Sequence, residues 1–300
     1  PDLQPRIQVS LFSILEEKEI QIRGFKVRLP LDIQFIFTSN PEDYTNRGTI
    51  VTPLKDRIGS QILTHYPESI EIAKQITEQE SRLNSQVVSK IHIPEIARDI
   101  IEQISFEARE SDLIDKKSGV SARMSITSLQ NLVSSAERRM IINNEKQTSI
   151  RMSDFNSVIS SINGKVELVY EGEEEGAEQV SYNLISDAVK SLFNKYFPKI
   201  EKLSKPDEET PYDSLLEWFT QKQLIIGDNL KNNEYEELLI EIIDARTIID
   251  KYVKDLDDND KFFFIEFILW GLESFNKLSI LRTNNGIEFK DPFNNFINKI

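Results

Sequence analysis

The chain has 300 residues, of which 39% are hydrophobic and 29% charged, and it contains no cysteine. That length supports a sizeable core and two or three domains, and the lack of cysteine excludes a disulfide framework and thiolate metal sites, which fits a reducing, cytoplasmic setting. No stretch reaches the roughly 18 consecutive apolar residues of a membrane span and no basic-then-apolar leader opens the chain, which argues against membrane and secretory classes.

The net charge of -14 is unevenly spread. Residues 1–164 carry 20 Lys and Arg against 22 Asp and Glu, whereas residues 165–300 carry 16 against 28. An acidic half repels a phosphate backbone, whose binding rests on Lys and Arg displacing counterions, so nucleic acid is a poor expectation as partner. The first residue is Pro1 and the earliest methionine is Met124, from which a fragment or processed product is expected.

Residues 5–17, "PRIQVSLFSILEE", place Ile7, Leu11, Ile14 and Leu15 on one helical face, with Pro5 tolerated in the first turn. "EIQIRGFKVRLPL" alternates apolar and polar residues on both sides of Arg23-Gly24 and predicts a β-hairpin turning at the glycine. "IQFIFT", 33–38, is the short apolar run of a strand buried on both faces of a parallel sheet, and ligands collect at the carboxyl ends of such strands. After a loop at 41–51 come a short helix near 53–59, a strand "QILTHY" and a helix over 68–84. Helical patterns over 94–110, 122–143 and 152–162 follow, punctuated by Gly119 and Gly164. Beyond Gly164 a short strand and acidic loop precede helices at 178–197, 211–221, 232–253 and 260–278, with "KLSKPDEETP", 202–211, as the best linker candidate. The aromatic run "KFFFIEFILWGLESF", 261–275, is apolar around nearly its whole circumference and reads as core. "DLDDND", 255–260, lacks the glycine and closing glutamate of a calcium loop, and His65 and His92 are isolated from one another.

Three polar features fall where phosphate chemistry would use them. Asn40 directly follows the apolar strand, so its amide would project from the sheet's carboxyl edge toward a water or a phosphate oxygen. Arg57 lies in "LKDRIGSQ", preceded by Asp56, a carboxylate placed to fix its fork. Arg123, in "SGVSARMS", opens the long helix after a glycine loop, with Arg138 and Arg139 further along the same helix. Phosphoryl transfer asks a protein mainly for positioning and positive charge, which suits an asparagine and two arginines.

Residues 1 to about 164 resemble the second half of an AAA+ ATPase module, of the clade holding the magnesium-chelatase ATPase subunit and the MoxR-like ATPases. "QVSLFSILEEKEIQIRG" is similar to that clade's helix and pre-sensor hairpin, and "FIFTSNPEDY" to its sensor-1 strand ending in Asn-Pro. "LKDRIG" resembles the segment carrying the arginine finger, and "GVSARMSITSLQNLVSSAERR" the lid helix with the sensor-2 arginine. The resemblance implies that Asn40 orients the attacking water, that Arg57 reaches into a neighbouring subunit's ATP and that Arg123 contacts phosphate. It implies ATP as cofactor, a homo-oligomeric ring, commonly a hexameric one, and a partner protein bearing a von Willebrand factor A domain. No G-x-x-x-x-G-K-[ST] occurs, the only Gly-Lys being Gly164-Lys165 followed by Val166, and no apolar strand ends in Asp-Glu. The phosphate cradle and the Mg2+ ligands are therefore expected upstream of residue 1, with no metal ligands in this chain and no ATP hydrolysis by it alone.

The expected fold class is thus α/β, a partial AAA+ core with a pre-sensor hairpin, followed by an all-α lid and a mainly α-helical extension. The expected domains are the core at 1–87, the lid at 88–164 and an acidic extension at 165–300. The expected function is part of a ring ATPase that remodels or activates a partner protein. Two alternatives stand beside it: a magnesium-chelatase subunit driving Mg2+ into a porphyrin, and a non-catalytic docking module derived from an AAA+ protein.

Overall fold

The computed structural model describes residues 5–28, 32, 34–38, 52–200, 210–254, 256–283 and 285–292. The chain divides into two compact units, Pro1–Tyr66 and Pro67–Ile300. The division falls at Tyr66/Pro67, while residues on both sides of the expected boundary at 164/165 share one hydrophobic core. The described residues mix α and β structure, with helix predominant and the sheets small. Among them no helix is long and apolar enough to cross a membrane.

In the first unit, α1 (Pro5–Phe12) runs into a π-helical turn, Ser13–Glu17, which ends at Lys18 in the left-handed conformation. The predicted hairpin follows as β1 (Glu19–Ile22) and β2 (Phe25–Arg28), antiparallel with Ile22 opposite Phe25. Its two-residue turn puts Arg23 at φ 49° and Gly24 at φ 88°, the positive values that such a turn needs to match the strand twist. Glu19 receives Arg28 at 3.2 Å and Lys26 at 3.4 Å, and the Arg28 hydrogen bond holds its carboxyl below the usual range. Helix α2 (Thr52–Asp56) buries Leu54.

The expected strands at 33–38 and 61–66 are not formed by the described residues. Residues 34–38 and 61–65 form no helix or strand there, and their apolar side chains stand in solvent, with Ile36 at 82%, Ile62 at 89% and Leu63 at 76% exposure. A strand is made by its neighbour's backbone groups, and none of the described strands lies alongside to supply them.

The second unit begins with α3 (Ile70–Glu80), opened by Ser69, whose hydroxyl accepts from the Ile72 N–H, and α4 (Ser85–Val88), opened in the same way by Asn84. Strand β3 (Ile91–His92) leads into α5 (Glu95–Glu110), and α6 (Arg123–Ile142) leads to β4 (Thr148–Ser149). β3 and β4 pair in parallel, Ile91 with Thr148 and His92 with Ser149, so the expected all-α piece carries a small sheet that ties the start of α5 to the end of α6. A 3-10 helix, Met152–Val158, continues into α7 (Ile159–Asn163).

The acidic segment expected as strand and loop forms the short helix α8 (Tyr170–Glu175), followed by α9 (Ala177–Tyr196) and α10 (Asp213–Gln221). The single helix expected over 232–253 is two, α11 (Asn232–Ile240) and α12 (Ile243–Tyr252), broken at Ile242, whose ψ of 68° leaves the helical range. α13 (Lys261–Ser274) carries the aromatic run. An antiparallel sheet that the sequence reading lacks is built from β5 (Leu224–Gly227), β6 (Ser279–Thr283) and β7 (Gly286–Lys290), with β7 central. Gly286 sits at φ 153°, and a Cβ there would collide with the Ile226 carbonyl of β5, so only glycine lets the strands close.

The core confirms the reading of 261–275. From Phe263 to Leu272 every residue of α13 is buried, and the rings of Phe264 and Phe267 meet Tyr196 and Phe197 of α9 and its end. Gly271 lets α9 approach, because a Cβ there would overlap the fully buried Phe193 ring. Ala is worth about 1 kcal/mol over Gly in an unobstructed helix. Gly271→Ala is instead expected to destabilise by about 1–3 kcal/mol through overpacking, read as a lower urea midpoint at an unchanged m-value.

Candidate functional site

The expected phosphate-site residues are distributed over both units. Asn40 lies outside the described residues, as does the loop 41–51. Arg57 follows α2 in the first unit, and its guanidinium is engaged on three sides. Nη1 donates to the Pro53 carbonyl at 2.8 Å, Nη2 donates to Glu16 Oε2 at 2.9 Å, and the group lies 5.0 Å from the centre of the Phe12 ring. The acid that fixes the fork is therefore Glu16 and not Asp56. The Nε of Arg57 is buried without a partner among the described residues.

Arg123 is the first residue of α6, in the second unit. Ser121 Oγ accepts from its backbone N–H at 3.2 Å and starts the helix. Met124 and Ser125 turn inward and are buried, while Arg123 is exposed, and its guanidinium has no partner among the described residues. The two other arginines of α6 are committed elsewhere: Arg138 reaches Asn229, and Arg139 is buried.

Arg139 belongs to a constellation that the motif reading missed. Its Nη1 donates to Asp154 Oδ1 at 2.5 Å and its Nη2 to the Ser149 carbonyl at 2.6 Å. The other oxygen of Asp154 accepts from the Arg151 backbone N–H at 2.8 Å. The Arg151 side chain donates to the Leu230 carbonyl and to Asn232 Oδ1, and its guanidinium lies 4.0 Å over the Tyr235 ring. The Tyr235 hydroxyl donates to Glu266 Oε2 at 2.7 Å, and that oxygen also accepts from the Met152 N–H at 3.1 Å. Glu266 Oε1 is buried without a partner among the described residues.

Burial dominates the electrostatics of this network. It pushes the Glu266 carboxyl up to about 7 against the opposing Tyr235 hydrogen bond and Arg151 charge, and it pushes Tyr235 well above its usual value. Burial together with the like charge of Arg139 lowers Arg151. Above the network a cavity of about 650 Å³ opens between the β3–β4 pair and the helices α11 and α13. At its edge His92 Nε2 and Asp260 Oδ1 lie 2.6 Å apart. No family model, curated protein or solved structure matches the chain. Chemistry must therefore be read from the residues themselves. Among the described residues no group of three or more His, Asp and Glu is placed to hold a metal ion. One signal for the network was present in the sequence: Glu266 is the lone acid among eight apolar residues in "FFFIEFILW", and an acid in a fully buried helix must find donors.

Two measurements test the network. Asp154→Leu strands the Arg139 charge and is expected to cost about 3–5 kcal/mol, whereas the apolar pair Arg139→Met with Asp154→Leu costs far less. Urea unfolding of the two single variants and the double variant gives the coupling. Folded Glu266 keeps its proton up to about pH 7, while the unfolded chain releases it near the ordinary value of 4.5. Its contribution is thus complete below pH 4.5 and lost as the pH rises through 7. Between pH 4.5 and 7.5 the wild type should lose roughly 3 kcal/mol more than Glu266→Gln, with the difference confined to that window.

Proposed function

We propose that the chain is the sensor, finger and lid part of a ring-forming AAA+ ATPase of the magnesium-chelatase and MoxR-like kind, which uses ATP bound with Mg2+ between subunits to remodel or activate a partner protein. The observation that carries the reading is Arg123. It stands at the first position of a long helix whose following residues anchor in a core, and its charge is left open to solvent. A group so mounted is rigid at its base and free at its tip, as contact with an incoming phosphate requires. The exposed apolar segments 34–38 and 61–65 give independent support, because chain of that composition outside helix and strand is suited to pairing into a covering sheet. On this reading such a sheet would hold the phosphate cradle and the metal.

Arg57 favours a second reading. Its engagement with Glu16, Pro53 and Phe12 is what a structural arginine shows, and it supports a docking module without catalysis. In the ATPase reading the fork must leave Glu16 for a neighbour's phosphate, which offers more negative charge than one carboxylate.

Steady-state ATP hydrolysis by the product of the complete reading frame separates the two. For the ATPase, Arg57→Ala and Arg123→Ala each lower kcat by at least about 10²-fold. Mixing Arg57→Ala subunits with subunits defective in the phosphate cradle restores turnover, because each supplies what the other lacks at a shared interface. Absence of both nucleotide binding and turnover in the wild type assigns the docking role.

A further inference from the structure

The 650 Å³ cavity lies wholly within the second unit and takes no part in the reading above. Its volume falls in the range of about 300–1,000 Å³ usual for small-molecule sites. Its wall is graded by depth. Exposed Lys90, Glu236 and Asp258 carry charges of both signs near solvent, whereas Arg151 and Tyr235, with Phe263, are buried.

The deep cation lacks a close counter-charge. Of the five N–H donors of Arg151, the carbonyl of Leu230 and the amide oxygen of Asn232 take two, and both acceptors are neutral. The nearby acids are bound by other groups. Asp154 holds Arg139 through one oxygen and the Arg151 backbone through the other, and Glu266 takes the Tyr235 hydroxyl and the Met152 N–H on one oxygen while its other oxygen is buried without a partner among the described residues. Among the described residues no carboxylate lies within ion-pair distance of the Arg151 guanidinium. A buried guanidinium in that position favours an anion strongly, because low dielectric weakens screening, while the acids at the mouth are exposed and act through water. Beside it Phe262 and Phe263 offer apolar surface in the same cavity.

We propose that this cavity binds a small molecule joining an oxyanion, carboxylate or phosphate, to an apolar or aromatic body, with the oxyanion on Arg151 and the body against Phe262 and Phe263. The ligand would touch β3 and β4 on one side and α11 and α13 on the other, so its binding would brace the two stretches of chain that meet there.

Calorimetric titration of the whole chain with benzoate, phenyl phosphate and uncharged benzyl alcohol tests the site. The expected result is one saturable site per chain for at least one anion, with benzyl alcohol weaker by about tenfold or more. The tighter anion names the oxyanion. Arg151→Met should abolish the anion preference. Because that residue is buried and its replacement can disturb folding, Asn259→Trp at the exposed mouth is the second variant. It should weaken the anion about tenfold by obstruction while leaving the unfolding midpoint unchanged. No saturable binding of either anion up to about 20 mM, equal binding of benzyl alcohol, or anion binding that Asn259→Trp and Arg151→Met both leave intact would overturn the proposal.

Discussion

A helix that is apolar on every side is stable in water only when other elements cover all of it, and α13 imposes that demand on the second unit. α9, α11, α12 and the 3-10 turn at Met152–Val158 supply the cover. Three of these elements follow 164/165 and one precedes it, so the residues expected as a lid and those expected as an extension fold around the same helix. The acidic half carries its charge outside and is hydrophobic at its centre, and its centre is where it meets the core residues of 91–162.

Placing α13 at the centre also places Glu266 there. An acid without solvent needs donors, and it obtains the Tyr235 hydroxyl from α11 and the Met152 N–H from the 3-10 turn. Those partners bring Arg151 and Asp154 with them, and Asp154 fixes Arg139 of α6. Ion pairs of this kind add little net stability over apolar packing, but a wrongly docked arrangement would leave charges stranded. The network therefore acts mainly on the register between α6 and the later helices, while the aromatic contacts between α9 and α13 supply most of the driving force.

Helical periodicity made α5, α6 and α9 legible nearly to the residue and placed the start of α13 while running four residues past its end, and the alternation about Arg23-Gly24 gave the first hairpin. Elements fixed by remote partners were not legible. The strands of the β5–β7–β6 sheet are only four or five residues long, and their pairing joins β5 to β7 more than 50 positions later, which no local spacing encodes. The break at Ile242 answers to packing on α13 and has no glycine or proline to announce it. Residues 34–38 failed in the opposite direction: composition gave a strand, and the described residues provide nothing for it to pair with. At the site, adjacency in sequence suggested Asp56 for Arg57, whereas the acid used is 41 positions away. The network around Arg151 joins residues up to 114 positions apart, beyond what any local spacing encodes.

The two ends of α6 have opposite fates. Arg123 projects into solvent, and Arg139 is locked to Asp154 and the Ser149 carbonyl. A helix of 20 residues spans about 30 Å and bends little over that length, so a displacement at one end is carried to the other. If Arg123 senses nucleotide as proposed, the later helices must move with it, because detaching them would take Glu266 from the Met152 N–H and the Leu230 and Asn232 oxygens from the buried Arg151. On that proposal the acidic half would move as one body with α6. A tethered tail would need a joint at 164/165, and at that point the chain instead continues through a shared core.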